Sequence, residues 1–455
     1  MSVKKKLFSA ALAAGLVFGV ASVSKATNGY YMIATGAKSL GMAGAVVANP
    51  QDASTIIQNP AGIAFLRNTT FDVGGAVFSP IRKLNGHDSD SKVYMIPSAG
   101  FAYNPMGCNC GTPHFVFGIG MYGVSGMGVD FSDSNLAGST GALTKAWSNM
   151  AMMEMSVGGA YRVNDKLAIG FAPVFVYQSM GLEMNFNFGK PVSAMPTNQQ
   201  QMMAQTEAGK FMGGYVQSKA PYKVSLDSAT AYGVGFDFGI VYKVNDMIQL
   251  GLVYKSKRYM QKLKWNTTPD GGMIDDDEVK MRLDMPRQVA FGINFRPIEP
   301  LRIEADIRWI NYKDVMDEVD IDGMRTIDQK TMKFVKQDTW NFHWKNQWVF
   351  AIGAEYQATK ALTLRAGFNY AKSPIDDDDL NANVVAPAIV ETHVTVGASY
   401  EFTKNLELSV AYAHAFEHKQ SHKNKPGSLD YMMYGPETEA KMYQNTLALQ
   451  LSYVF

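Results

Sequence analysis

The sequence predicts an all-β protein, an antiparallel transmembrane β-barrel of about fourteen strands with an N-terminal plug in its lumen. Three observations lead there. Segment after segment alternates apolar and polar residues with a period of two. The connections between them alternate between very short turns and long polar loops. The last segment, Leu447 to Phe455, alternates in the same way and ends on an aromatic residue.

Residues 1–26 read as an export signal. A basic start (Lys4, Lys5, Lys6) precedes an apolar run from Leu7 to Val23, and small residues at Ser24 and Ala26 suit cleavage after Ala26. The run is too short for a spanning helix, which needs about 20 apolar residues, and no cysteine follows the cut to take a lipid. Beyond it no stretch approaches the length of a spanning helix. A mature chain in a membrane must therefore cross as a closed barrel, the other structure that satisfies every backbone group in lipid.

Residues 27–68 differ from everything after them. They are rich in Gly and Ala, lack sustained alternation, and are too apolar for a disordered tail. A barrel of this size would otherwise enclose water, so the segment is expected inside it as a plug.

From residue 69 to 455 parity identifies the strands, because successive strand side chains point to opposite faces. In Leu301 to Trp309 the odd positions Leu301, Ile303, Ala305, Ile307 and Trp309 are apolar, while Arg302, Glu304, Asp306 and Arg308 are all charged. The same division holds around Trp348, Phe350 and Ile352, around Leu364 and Phe368, and around Val394, Val396 and Tyr400. Short turns fall at Asn164-Asp165, Asn245-Asp246, Ile298-Glu299-Pro300, Thr359-Lys360 and Thr403-Lys404-Asn405, and long loops near 187–228, 266–277, 315–344, 373–386 and 418–440. Short turns on one rim and long loops on the other distinguish an outer-membrane barrel from a soluble sandwich. The strands are predicted near 70–82, 92–104, 114–132, 150–163, 166–186, 229–244, 247–265, 278–297, 300–313, 345–358, 361–372, 388–402, 405–417 and 441–455. Aromatics at segment ends, among them Tyr242, Tyr254, Trp309, Tyr312, Trp344, Trp348, Tyr400, Phe402, Tyr453 and Phe455, suit interfacial girdles.

Composition agrees. Charged residues are 18%, below the roughly 25% of soluble domains, while Gly (41) and aromatics (12%) are high. A net charge of +1, falling to about −3 once Lys4, Lys5, Lys6 and Lys25 leave with the signal, excludes a nucleic-acid partner as the default. Cys108 and Cys110 are too close for a relaxed disulfide, which leaves a labile redox pair, half a metal site, or two turn residues. No cofactor is implied. His393 points inward and His414 outward by parity, and neither belongs to a nucleophile or metal motif, so an enzyme acting on lipids is the weaker rival. An aqueous porin is the other rival, but it has no use for an apolar plug.

The start of the mature chain carries a resemblance. Asn28-Gly29-Tyr30-Tyr31, then Gly36 to Ala45, Asp52-Ala53-Ser54-Thr55 and Asn59-Pro60-Ala61-Gly62 resemble the FadL/TodX family of outer-membrane transporters for hydrophobic compounds. The resemblance implies a fourteen-stranded barrel closed by a hatch, admitting long-chain fatty acids or aromatic hydrocarbons without energy input. It implies capture among extracellular loops, passage to a lumen pocket, hatch movement, and lateral release at a kink in the third strand. Asn59, Pro60 and Ala61 would be the hatch motif. Proline fixes φ and lacks an N–H, and asparagine bonds nearby backbone, so a defined turn is expected there. Glycines crowd the third strand, and Gly123, Val124, Ser125 and Gly126 are the candidate kink, although glycine there could also make room for the plug.

Candidate ligand contacts lie on the first two long loops, 133–149 and 187–228: Leu136, Leu143, Trp147, Met195, Met202, Met203, Phe211, Met212 and Tyr215. Methionine is polarisable and adaptable, which suits varied apolar ligands. Arg302, Arg308 and Arg365 face inward and could meet a carboxylate, but Glu304, Asp306 and Glu355 share that face, so a charge-paired lumen accounts for them and no cationic site is assigned. The acidic runs Asp275 to Glu278 and Asp376 to Asp379 could bind divalent cations, bridge lipopolysaccharide, or simply be solvated. By resemblance to outer-membrane barrels at large, Phe455 would be read by barrel-assembly machinery, and the protein is expected to work as a monomer. The cargo, fatty acid or aromatic hydrocarbon, stays open.

Overall fold

Parity decides which way each strand faces, and the last strand makes the point. In the computed structural model, which describes residues 28–106, 114–132 and 135–455, Leu447, Leu449 and Leu451 are 46%, 52% and 42% exposed. Ala448, Gln450 and Ser452 between them are 4%, 3% and 2% exposed. An apolar face open to the outside and a polar face sealed within inverts the water-soluble pattern and calls for lipid outside. The signal predicted over 1–26, and Cys108 and Cys110, lie outside the described residues.

Among the described residues the barrel has fourteen strands: β1 (Thr70–Leu84), β2 (Tyr94–Tyr103), β3 (His114–Ser132), β4 (Leu143–Arg162), β5 (Leu167–Phe186), β6 (Tyr222–Lys243), β7 (Ile248–Lys255), β8 (Gln288–Ile298), β9 (Leu301–Ile310), β10 (Gln347–Gln357), β11 (Leu362–Ala371), β12 (Thr392–Thr403), β13 (Leu406–Lys423) and β14 (Glu437–Val454). Each pairs antiparallel with the next, and β14 returns to β1 from Thr70↔Val454 to Leu84↔Ala440, closing the cylinder. The short turns are held by their own side chains. Asn164 Oδ1 accepts from the N–H groups of Lys166 and Leu167, and Asn245 Oδ1 from those of Met247 and Ile248. Thr359 and Thr403 do the same through their hydroxyl oxygens.

Several predicted boundaries shift, always on the long-loop side. β4 begins at Leu143 rather than 150 and β6 at Tyr222 rather than 229, while β13 continues to Lys423. β7 stops at Lys255 and β8 starts only at Gln288, because Leu263–Asn266 and Glu278–Met281 belong to a separate sheet with Glu318–Ile327 and Phe334–Asn341. That sheet alternates with the same period as the wall, so period alone assigns its strands to the barrel. Its acids have local partners: Asp275 pairs with Arg325 at 3.3 Å and Glu278 with Lys280 at 2.7 Å.

One girdle assignment is corrected. Trp348, Tyr400 and Phe402 are exposed on the outer face, but Tyr312 and Trp344 are fully buried. Tyr312 lies just past the end of β9 and Trp344 just before the start of β10, and both turn into the lumen, where they pack on the plug. The plug itself, from residue 28 to 68, contains α1 (Ala37–Gly41), α2 (Thr55–Gln58) and a 3-10 turn, Pro60–Phe65. Almost all of it is buried, including Lys38, which pairs with Glu407 of β13 at 2.6 Å.

Candidate functional site

Asn59, Pro60 and Ala61 lie where the plug touches the wall. Asn59 is extended and caps the turn that Pro60 begins, its Oδ1 accepting from Ala61 N–H at 3.2 Å. Its Nδ2 donates to Val47 O at 2.8 Å within the plug and to Ile240 O at 3.3 Å on β6. Two wall glycines admit this contact. A Cβ on Gly239 would lie 2.0 Å from Asn59 Oδ1, and one on Gly170 would lie 2.2 Å from Ala61 N. Neighbouring plug backbone is satisfied by wall carboxylates: Asp306 accepts from Val46 and Val47 (2.8 and 3.1 Å), Glu304 from Ala48 (2.5 Å), and Asp72 from Ala53 (2.6 Å). This revises the charge-paired lumen. Arg365 and Arg302 do pair with Glu355, at 2.8 and 3.4 Å, but Glu304 and Asp306 serve the plug's N–H groups instead of the arginines. Arg308 borders a small cavity with Tyr31, Glu154 and Lys255.

Gly123 to Gly126 form an interruption in β3. The ladder with β4 steps from Gly123↔Met153 to Ser125↔Met152, so Val124 is an extra residue, a β-bulge. The ladder with β2 ends just before it, at Ser98↔Tyr122, although β2 runs back to Tyr94 and stays paired with β1. Beyond that point β3 finds its partners in the plug. Met32 N–H donates to Val124 O at 2.9 Å, Gly126 N–H to Tyr30 O at 3.1 Å, and Ser125 Oγ to Tyr30 O at 2.8 Å. The same arm is held from behind by Tyr312, whose hydroxyl donates to Asn28 O at 2.5 Å and accepts from Tyr30 N–H at 3.1 Å. The Tyr30 ring packs edge-on against Tyr312 and tilted against Trp344, with centroids 5.0 and 5.7 Å away. Gly29 is at φ +65°, and a Cβ there would lie 2.5 Å from the Tyr312 ring.

The predicted loop contacts are dispersed. Met195, Met202 and Met203 line an open extracellular cleft of about 730 Å³, together with Met332, Leu429 and Met432. Phe211 and Tyr215, on the helix Glu207–Ser218, pack on Tyr222 at 5.0 and 5.2 Å, and Met212 is buried beneath them. Leu136 and Leu143 are fully buried and do not line the cleft. Trp147 sits on β4 over Gly181, with the opposite parity to the inward Met150 and Met152. Sequence reasoning missed an apolar chamber between cleft and plug, lined by Met127, Met150, Met180, Met281, Trp340 and Phe342. The inward parity of methionines on β4 and β5 was its available signal. The cavities found beside the plug and in the chamber are about 10 to 50 Å³, whereas the cleft is of ligand size.

Residues 18–455 match the family described as outer membrane protein transport protein (OMPP1/FadL/TodX). The chain belongs to this family. Like other OMPP1/FadL/TodX proteins it is an outer-membrane barrel. It is 24% identical over 392 residues to outer membrane protein P1 of Haemophilus influenzae, covering 80% of each chain. It is 22% identical over 415 residues to a long-chain fatty acid transport protein of Escherichia coli, covering 86% of each. Its fold is similar to that of the Pseudomonas putida toluene transporter TodX, with a TM-score of 0.68 at 21% identity over 94% of this chain and 100% of that one.

Proposed function

We propose that this protein takes up hydrophobic compounds passively across the outer membrane. They enter at the methionine cleft, cross the apolar chamber, and leave sideways into the membrane at the β3 interruption when residues 28–35 let go. The observation that carries this reading is the exchange of partners on β3: past Tyr122 its backbone is bonded to plug residues Tyr30 and Met32, not to β2. A plug that completes the wall can also uncover it. Lateral exit suits an apolar cargo, since crossing bulk water would forfeit about 25 cal/mol per Å² of apolar surface. The relatives named for long-chain fatty acid and toluene transport support the cargo class. The chemistry is transport and not catalysis, and the small internal cavities speak against an aqueous porin. We take the protein to be a monomer, assembled through Phe455, with its acidic loops facing lipopolysaccharide.

Conductance of the purified protein in planar bilayers tests the channel class: little steady current is expected, and large open-pore currents would remove the reading. Growth of a deletion strain complemented with this gene, on oleate or on toluene as sole carbon source, identifies the cargo.

A further inference from the structure

The opening between β2 and β3 has two unlike edges. Below, six consecutive residue pairs close it, from Ser98↔Tyr122 to Tyr103↔Phe117. Above, residues 89–91 cross to β3 with one main-chain bond, Asp90 N–H to Asp130 O at 2.8 Å, and Asp130 N–H donates to Ser89 Oγ at 3.0 Å. The remaining tie is a side chain from a third strand. Arg82 of β1 is inward and 1% exposed, and its two terminal nitrogens donate to Gly128 O of β3 and to Ser91 O.

Arg82 has no carboxylate within ion-pair distance among the described residues, and its Nε has no hydrogen-bond partner. Asp130, on the opposite face of β3, attracts the guanidinium through space without bonding it, and Ser132 Oγ donates to its carboxylate at 3.4 Å. A buried guanidinium bonded only to neutral oxygens, the carbonyls of Gly128 and Ser91 and the Tyr94 hydroxyl, is electrostatically incomplete, and a bidentate carboxylate is a stronger partner for it. The side chain borders a cavity of about 10 Å³ with Gly29, Met127, Gly128, Pro387 and Met442, between the hatch arm and β3. Cargo displacing that arm would meet it.

We propose that Arg82 is an anion-operated latch. Resting on lateral exit at β3, the proposal is that a carboxylate on the cargo takes the guanidinium's donors from Gly128 O and Ser91 O. Residues 89–91 then lose their strongest tie to β3, and the opening widens upward. The cargo so selected is a long-chain carboxylate, and a neutral compound of the same shape does not turn the latch.

The test uses the full chain with Cys108→Ser and Cys110→Ser, reconstituted in liposomes, with uptake of oleate compared with oleyl alcohol. Arg82→Gln removes the tie and the carboxylate's handle together, so the ratio of oleate to oleyl alcohol uptake is expected to fall about tenfold, with Arg82→Lys in between. An unchanged ratio overturns the latch. Nitroxides on Asp90→Cys and Asp130→Cys, with Arg82 intact, give a second readout that survives any folding defect of the Arg82 variants. Their separation should grow with oleate and not with oleyl alcohol, and equal or absent responses refute the proposal. Oxidising the same cysteine pair to a disulfide separates the two claims. If oxidised protein still transports oleate at the unmodified rate, lateral exit itself fails. If oxidation blocks transport while Arg82→Gln keeps the oleate preference, only the latch fails.

Discussion

The two halves of the hatch are held in different ways. The body, roughly residues 41–66, is bound through Asn59, through Glu304, Asp306 and Asp72 on backbone N–H groups, and through glycines that let the chains touch. The arm, residues 28–35, rests on β3 by three bonds around the bulge, on the Tyr312 hydroxyl, and on Asp284 O, which accepts from the Tyr30 hydroxyl at 3.4 Å. Buried charge-assisted bonds are the stronger kind, and breaking one strands a carboxylate in the lumen. The difference teaches which half the proposed route can move at the smaller cost: the arm. In that route the turn Asn59-Pro60-Ala61 is the fixed end against which the arm swings.

The largest effect should come from locking each half in turn. In a chain with Cys108→Ser and Cys110→Ser, a disulfide between Tyr31→Cys and Ser125→Cys, partners in the arm's bridge to β3, is expected to reduce uptake by more than about tenfold until a reductant is added. A disulfide between Ala53→Cys and Gly100→Cys, where a Cβ on Gly100 would lie 3.1 Å from that of Ala53, should leave uptake within about twofold. Equal inhibition by both would mean that the whole hatch moves.

Loosening the body comes next. Asp306→Ala leaves the N–H groups of Val46 and Val47 without their acceptor, at about 1–3 kcal/mol per orphaned group. A lower unfolding temperature and a raised ion leak in bilayers should follow, and an unchanged leak would show that the body needs no such anchor. Tyr312→Phe keeps the ring but removes the hydroxyl that bonds Asn28 O and Tyr30 N–H. Losing about 1 kcal/mol of arm binding should raise the open fraction, and with it uptake at saturating cargo, up to about fivefold. A decrease would show that Tyr312 guides the cargo. The smallest effect is expected at the cleft, where Met202→Gln with Met203→Gln should raise the cargo concentration for half-maximal uptake about two- to threefold without changing the maximal rate. A fall in the maximal rate instead would place these methionines on the path beyond capture.

Much of this was legible in the sequence because a strand's faces are written locally. Leu301 to Trp309 announce an apolar and a charged face from residue types alone, and β9 has those faces. The turn at Asn164 is equally local, since the side chain that closes it lies within the turn. The cargo contacts were less legible. Met202 and Met203 could be picked out as exposed loop methionines, but Met332 and Met432 join them from loops far along the chain, and only the folded loops form that cleft.

The amino-acid sequence by itself determined the barrel, its closure, its apolar outer face and a plug too apolar to stay outside, because period two and composition are properties of neighbouring residues. Tertiary structure alone decided what the inward polar residues do. Glu304 and Asp306 look like partners for Arg302, Arg308 and Arg365 along the wall, yet they bind plug backbone some 250 residues earlier in the chain. Tyr312 looks like a girdle aromatic and holds the arm, and Arg82 looks like an ordinary barrel arginine and closes the gap that β2 leaves. A buried polar group takes the partner that folding brings within reach, and which partner that is depends on how strands from opposite ends of the chain are set side by side.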